Sequence, residues 1–284
     1  MKTEAVKKLD PYHRLVYFIN ERESIRRKRA LGLPPPWTDD EILGSYRFCN
    51  VRRMDDKVSQ WLLNNWYKPY KDHPNILIAV VLARHFNLPS TLEAIGFPVE
   101  WLPEVVKKTL LVKKGNGQNL FNSAYIVPGD ASFLSKVHSV IDGVVRWTIS
   151  LKPLTPTDSM KSCVEYLSEI RGLGSFLAGQ IVADLRWAMS GSWKDRYTYA
   201  PMGPGSKRGM NRVQGRDKDS PLKQEKFLDE LVHLVQRLEG DLSNDITRRL
   251  EMMDYQNCLC ETDKYFRVLL GEGKPKKRYI PGEG

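Results

Sequence analysis

The turn Gly172-Leu173-Gly174, between two stretches with apolar residues at helical spacing, most constrains the fold of this chain. Glycine readily adopts positive φ, so two glycines two positions apart permit a tight reversal between helices. Backbone N–H groups at the start of the second helix are then free to face a phosphate. The pattern predicts a helix-hairpin-helix over residues 161–189, in which Gly172, Gly174 and Ser175 bind a nucleic-acid backbone. A purely structural turn is the alternative.

The charge balance favours a polyanionic partner. Lysine and arginine exceed aspartate and glutamate by 44 − 34 = 10, and basic residues form runs such as 26–29 and 274–278. Such an excess favours nucleic acid through counterion release. No apolar stretch approaches the roughly 18 residues of a membrane span, and the N-terminus lacks an apolar signal core, so we expect an intracellular protein without a membrane partner. The four cysteines lack metal-binding spacing, so no metal is predicted, and Cys163 is expected in the core.

Apolar periodicity predicts a mostly α-helical protein. One short apolar segment, 124–127, is the exception and is expected to be extended. Residues 190–220, rich in glycine and basic side chains, are predicted to form a long loop. The predicted helices are 11–31, one starting near 38–41, 54–67, 75–86, 90–95, 102–112, 131–150, 156–171, 175–189, 222–238, 241–254 and 257–270.

Within the predicted loop, Gly203-Pro-Gly-Ser-Lys-Arg-Gly209 combines backbone amides, a hydroxyl and two cations. These groups suit a phosphate or pyrophosphate, and they predict a site at Gly205, Ser206, Lys207 and Arg208. The order G-x-x-x-x-G-K-[ST] of a P-loop is absent. A basic loop that touches DNA without chemistry is the alternative.

A second cluster, residues 46–58, is rich in aromatic, amide and guanidinium groups. Tyr46 and Phe48 can stack on an unstacked base, while Asn50 and Arg52 can read its edge. Asp55 and Asp56 follow directly, and they are at least as well explained as the acidic first turn of the next helix.

The third cluster, residues 254–265, places polar side chains on two helix faces. Asn257, Glu261 and Lys264 share one face, and Cys260, Asp263 and Arg267 share another. Glu261 and Lys264 form either a surface ion pair or the wall of an amine-binding pocket.

One acid lies on the second helix of the predicted hairpin. Asp184 either faces the DNA side or pairs with Arg186 or Arg171. The sequence leaves these alternatives open.

With these clusters in place, the chain resembles the phage amino-acid:DNA transferases, also described as alpha-glutamyl/putrescinyl thymine pyrophosphorylases. That family is related to helix-hairpin-helix DNA glycosylases. The resemblance extends from about residue 38 to 279, and its signatures are residues 46–57, the turn 172–174, residues 203–209 and residues 257–265.

The resemblance implies thymidine hypermodification. In that family a 5-hydroxymethyluracil DNA kinase first supplies the pyrophosphate ester 5-(pyrophosphoryloxymethyl)deoxyuridine in phage DNA. The transferase then replaces pyrophosphate with an amine, either an amino acid such as glycine or glutamate or a polyamine such as putrescine. The setting would be the host cytoplasm. No cofactor is required, and a monovalent cation at the hairpin is compatible with this chemistry. The implied organisation is an N-terminal helical segment 1–37, a glycosylase-like helical catalytic region 38–271 and a basic tail 272–284.

The same resemblance suggests roles for individual residues. Lys207 and Arg208 would hold the leaving pyrophosphate. Asp184, Asp254 or Glu261 would accept the proton of the amine, which Asp263 and Lys264 would bind. In an alternative covalent route, the Cys49 thiolate adds to the base before the amine does.

Two other functions remain open from the sequence. A base-excising glycosylase is disfavoured because Ser175-Phe176 stands where bifunctional glycosylases place a lysine. Asp195 is the one acid at about the sequence separation beyond the hairpin where glycosylases place their catalytic aspartate. A non-catalytic helix-hairpin-helix DNA-binding protein would explain the charge and the hairpin alone.

Overall fold

The structure, a computed structural model, describes residues 2–122, 135–150, 159–170, 172–189, 193–275 and 278–279, and it is mostly α-helical as predicted. Within these residues, extended pairing is limited to a single antiparallel bridge between Tyr46 and Arg278. The predicted extended segment 124–127 and Arg171 lie outside the described residues. The α-helices are α1 (Lys2–Lys7), α2 (Pro11–Ala30), α3 (Glu41–Ser45), α4 (Lys57–Trp61), α5 (Ile76–Phe86), α6 (Pro89–Ile95), α7 (Pro103–Gly115), α8 (Lys136–Ser150), α9 (Met160–Glu169), α10 (Gly174–Ala188), α11 (Pro204–Val213), α12 (Gln224–Asp241), α13 (Asn244–Thr247) and α14 (Met252–Leu269).

The chain divides into two compact units. The first comprises Met1–Asp56 and Arg196–Gly284, and the second comprises Lys57–Asp195. The predicted segment 1–37, region 38–271 and tail 272–284 stay predictions about domain organisation. None of the described helices has both the length and the apolar character to cross a membrane.

Helix α14 is the central helix of the first unit, and it contacts α2, α3, α11 and α12. It begins with a capping box, in which the Asp254 carboxylate accepts the backbone N–H of Glu251. Its C-terminal half carries Tyr265 into an aromatic cluster with Phe18 and Phe48. The hydroxyl of Tyr265 donates to Asp40, the residue that caps α3. These contacts fix the face of α14 that carries the polar cluster.

The prediction of an uninterrupted loop over 190–220 is wrong, because ten of those residues form α11. Proline occupies the first turn of α11, and the Ser206 hydroxyl bonds the backbone of Gly203. Gly205 and Gly209, four positions apart, lie against α14. A Cβ at Gly209 would approach the carbonyl oxygen of Leu259 to 2.2 Å. The glycines therefore serve close helix packing, which offsets their low helix propensity.

Two other predicted helices differ from the structure. In place of one helix over 241–254, α12 ends at Asp241, the short α13 follows, and α14 begins at Met252, where Glu251 and Asp254 form a capping box. The segment 54–67 consists of a 3₁₀ turn (Arg53–Asp55), α4 and a π-helical stretch (Leu62–Tyr67).

The second unit is built on α5, whose residues are almost all buried. Helix α10 packs against α5 and α9. Cys163 of α9 is buried, as predicted. The core of this unit also contains an ion pair between Arg84 and Asp184.

Candidate functional site

The predicted hairpin turn forms between α9 and α10. Gly172 has φ of 102° and Gly174 has φ of 57°, conformations that favour glycine. Leu173 is buried between them, whereas Gly172, Gly174 and Ser175 are exposed. The described residues therefore place a turn with two positive-φ glycines between α9 and α10, whereas the helix-hairpin-helix assignment and the contact of these three residues with DNA stay predictions.

Asp184 does not face solvent. Its side chain is completely buried, Oδ2 accepts hydrogen bonds from Tyr67 and from Nε of Arg84 at 2.6 Å each, and Nη2 of Arg84 bonds Oδ1. The observed ion-pair partner is thus Arg84. The structure corrects the prediction that Asp184 faces DNA and accepts a proton there.

Asp195 has a local structural role at the first helix of the hairpin. Its carboxylate accepts the backbone N–H groups of Met160 at 2.7 Å and Lys161 at 2.9 Å. It thereby satisfies the free donors at the start of α9.

In the first unit, the three predicted clusters meet on α14. The backbone N–H of Cys49 donates to Glu261 at 2.9 Å, and that of Arg53 donates to Asp254 at 3.0 Å. From α11, Arg208 forms an ion pair with Asp263 at 2.9 Å. We call the polar residues of segments 46–56, 205–212 and 254–267, together with the side chains of this unit that contact them, the α14 site. Three segments that lie far apart in the sequence therefore form one polar site within one unit.

Glu261 and Lys264 form an ion pair of 2.6 Å on one turn of α14. The Lys264 ammonium also lies 4.7 Å from the centre of the Phe48 ring. Burial alone would lower the pKa of Lys264, but the adjacent Glu261 carboxylate outweighs it and the pKa is raised. The pair is therefore partly buried, and Lys264 stays charged beside Cys49.

The cysteines of the α14 site are held as thiols. Burial, followed by the charges of Glu261 and Asp56, raises the pKa of Cys49 well above its usual value. Burial likewise raises the pKa of Cys260 to about 11 and that of Cys258 well above its usual value. A thiolate nucleophile is disfavoured at neutral pH, which counts against the covalent route through Cys49.

Two of the predicted catalytic or amine-binding carboxylates already have strong partners. Asp254 accepts the two backbone N–H groups given above. Both oxygens of Asp263 are bonded, one to Arg208 and one to Arg212, and Arg267 lies at 3.8 Å. Asp263 is therefore neutralised by arginines, and the structure corrects its assignment as an amine ligand.

The base-binding candidates differ in accessibility. The Phe48 ring is only 9% exposed and packs in the aromatic cluster, which corrects its assignment as a stacking residue. The Asn50 amide donates to the carbonyl of Asp55. Tyr46 is half-buried, and Arg52 is 35% exposed with a 3.5 Å ion pair to Asp55. Tyr46 and Arg52 can therefore reach a ligand more easily than Phe48.

The pyrophosphate candidates also separate into two groups. Gly205 and Ser206 are buried, and the Ser206 hydroxyl bonds Gly203 and Gln256. Their assignment as phosphate ligands is corrected, because both contribute to helix capping and packing. Lys207 is half-buried, and its ammonium has no hydrogen-bond or ion-pair partner among the described residues. Lys207 and Arg208 remain suited to an anion.

Sequence reasoning missed two residues of the α14 site, Arg22 and Asp56. Arg22 is buried and donates to the carbonyls of Phe48 and Cys49. Asp56 accepts the backbone N–H of Asn50 at 2.9 Å. Arg22 lies in a helix rich in basic residues, and nothing in the sequence distinguishes it from its neighbours. Asp56 was overlooked because an acidic residue is common in the first turn of a helix. The described residues contain no group of three histidine, cysteine or acidic side chains placed to hold a metal.

The fold and the site define a helical protein with a polar site on one central helix. Residues 10–274 match the family model described as "5-hmdU DNA kinase, helical domain", and the chain belongs to that family. It is 27% identical over 296 aligned positions to the 5-hmdU DNA kinase of Bacillus phage SP10, with 90% of this chain and 45% of that protein covered. The chain thus spans less than half the length of this relative. No solved structure matches it.

Proposed function

We propose that this chain acts in phage thymidine hypermodification, where it replaces the pyrophosphate of 5-(pyrophosphoryloxymethyl)uracil in DNA with an amine. The amine is an amino acid such as glycine or glutamate, or a polyamine such as putrescine. Family membership supports a link to 5-hmdU in phage DNA. The resemblance to amino-acid:DNA transferases, and through them to helix-hairpin-helix glycosylases, supports the reaction.

The observation that carries the proposal is the convergence on α14 of three of the segments that resemble the transferase family. Lys207 and Arg208 would stabilise the leaving pyrophosphate, whose negative charge grows as the C–O bond breaks. Preorganised cations next to a leaving group are an effective means of lowering such a barrier. Lys207 carries most of this role, because it has no carboxylate to neutralise it among the described residues.

The target base must leave the duplex stack, which costs a few kcal/mol. Tyr46 would offset part of this cost by stacking, and Arg52 would contact the base edge. The exposed turn at Gly172, Gly174 and Ser175 would hold the DNA backbone, with a monovalent cation as an optional ligand of the turn. In this proposal the turn binds DNA regardless of sequence, and the residues of the α14 site carry out the chemistry.

The test uses DNA that carries the pyrophosphorylated base, incubated with the protein and with glycine, glutamate or putrescine. Nucleosides are then analysed by mass spectrometry and free pyrophosphate is measured. We expect an aminomethyl nucleoside and one pyrophosphate per product. Release of a free base would instead identify a glycosylase, and bound but unchanged DNA would identify a binding protein.

Variants test the anion site. Lys207→Ala is expected to lower kcat/KM by about 10–100-fold, since it removes a cation from the leaving group. Lys226→Ala, which alters an exposed lysine on α12, is the matched control. Equal losses in both variants would contradict the assignment.

A second candidate function follows from the match to one part of a longer kinase. The chain would then be a helical module that presents 5-hmdU DNA to a phosphoryl-transfer domain. Phosphorylation by this chain itself has less support, because its sequence contains no P-loop order. Incubation of DNA containing 5-hydroxymethyluracil with ATP tests phosphorylation by this chain, since a phosphorylated base would overturn the transferase proposal. Binding of that DNA without phosphorylation, together with no amine transfer to the pyrophosphorylated base, would identify the module.

A further inference from the structure

We infer that Asp56 binds the amine co-substrate and accepts its proton, an inference that rests on the proposed function. The reaction needs such a group, because an ammonium has no lone pair with which to attack the methylene. Asp56 is also the carboxylate of the α14 site that sequence patterns explained as part of a helix start.

The other carboxylates of the α14 site are already committed. Asp254 is bonded to two backbone N–H groups, and Asp263 is bonded to two arginines. Glu261 accepts both the Cys49 N–H and the Lys264 ammonium. Asp254 and Asp263 would have to give up a strong partner before they could accept a proton from a ligand. Glu261 uses only Oε2 for its two contacts, but the Lys264 ammonium at 2.6 Å balances its negative charge.

Asp56 has one carboxylate oxygen without a hydrogen-bond partner among the described residues. Its Oδ1 accepts the Asn50 N–H, while Oδ2 forms no hydrogen bond or ion pair with any described residue. The side chain is half-buried, so the free oxygen is neither fully hydrated nor sealed off. The neighbouring Asp55 differs, because Arg249 bonds both of its oxygens.

The charges around Asp56 set its basicity. Arg22 from α2 and Arg53 favour the carboxylate, as does the Asn50 N–H, whereas Glu261 from α14 disfavours it. The Cys49 thiol is the other titratable neighbour. Burial is the largest effect, and it raises the pKa of Asp56 to about 6. The group is thus ionised at neutral pH and is a stronger base than an ordinary aspartate.

The proton transfer fits a balanced displacement. The ammonium gives one proton to Oδ2 of Asp56, and the freed lone pair forms the N–C bond to the methylene. The C–O bond breaks, and its electron pair leaves with pyrophosphate. Asp56 then releases its proton to solvent, while the product is a secondary ammonium on the base.

The first experiment measures pyrophosphate release against pH for the wild type, Asp56→Asn and Asp55→Asn. For the wild type, kcat/KM is expected to fall below about pH 6. Asp56→Asn is expected to lower kcat/KM by at least about 100-fold, which is the size of a general-base effect. Its pH profile should also lack the fall below about pH 6. Asp55→Asn is the matched control, and its profile should keep that fall.

A second measurement does not depend on turnover. The backbone N–H of Asn50 is hydrogen-bonded to Asp56, so its NMR chemical shift should change with pH with a midpoint near pH 6. An Asn50 resonance that does not move between pH 5 and 7 would overturn the inference, as would an Asp56→Asn enzyme with more than about a tenth of wild-type kcat/KM. In the latter case the proposed function stands. If the wild type releases no pyrophosphate with any amine, the proposed function falls, and the role of Asp56 falls with it.

Discussion

The backbone N–H of Cys49 donates a 2.9 Å hydrogen bond to Oε2 of Glu261, although 212 positions separate them in the sequence. Lys264 approaches the same oxygen at 2.6 Å. The segment after α3 is thereby fastened to α14, and the Cys49 thiol lies next to a carboxylate. This arrangement determines how the thiol reacts.

Cys49 is expected to react slowly with iodoacetamide at pH 8, because burial and the Glu261 carboxylate raise its pKa. Glu261→Gln removes that negative charge and leaves the Lys264 ammonium beside the thiol. Alkylation of Cys49 should then accelerate several-fold, as measured by peptide mass spectrometry. Comparison of the two proteins controls for steric access. A wild-type Cys49 that reacts as fast as free cysteine would restore the covalent route.

Gly209→Ala is expected to destabilise the first unit by about 3 kcal/mol or more, because overpacking against backbone cannot be relieved by a rotamer change. The added Cβ would lie 2.2 Å from the Leu259 carbonyl oxygen. Gly240→Ala in α12 is the control, since its Cβ would meet nothing within 4 Å. It should raise stability by roughly 0.5–1 kcal/mol through helix propensity. Urea denaturation measures both, and equal stabilities would contradict the close packing of α11 on α14.

Asp184→Asn is expected to lower the free energy of unfolding by about 3–5 kcal/mol, because it removes the negative charge that pairs with the buried Arg84 guanidinium. Glu165→Gln is the control. It breaks an exposed ion pair with Lys161, which should contribute no more than about 0.5 kcal/mol. Denaturant titration of each variant checks the difference. A loss below about 1 kcal/mol for Asp184→Asn would count against the buried pair.

Local chemistry explains which features the sequence predicted. Gly172 and Gly174 mark the hairpin because a reversal between helices requires positive φ there. Helical spacing likewise placed Glu261 with Lys264, and Asp263 with Arg267, on shared faces. These predictions depend only on neighbours within two helical turns.

Long-range contacts explain the errors. The glycines of α11 were assigned to a loop. They are needed for close approach to Cys260 and Leu259, and these residues lie some 50 positions away in the sequence. The polar partners of Asp184 come from α5 and the π-helical stretch, which no local pattern links to α10. Phe48 was assigned to the surface because its aromatic neighbours come from α2 and α14. Composition describes a segment, whereas burial depends on what packs against it.

Replacement of the two adjacent aspartates by asparagine should change stability at pH 8 in opposite directions. Burial raises the pKa of Asp56 from its usual 3.8 to about 6, so its ionised form is disfavoured in the folded state. The resulting penalty is absent below about pH 4, grows between pH 4 and 6, and is complete above pH 6. Asp56→Asn removes the penalty and should therefore raise the free energy of unfolding at pH 8 by roughly 1–2 kcal/mol, with no gain at pH 4. Asp55→Asn loses its ion pair with Arg249 and should instead destabilise the protein at pH 8. Urea denaturation at both pH values measures these changes, and a destabilised Asp56→Asn at pH 8 would mean that ionised Asp56 supports the fold.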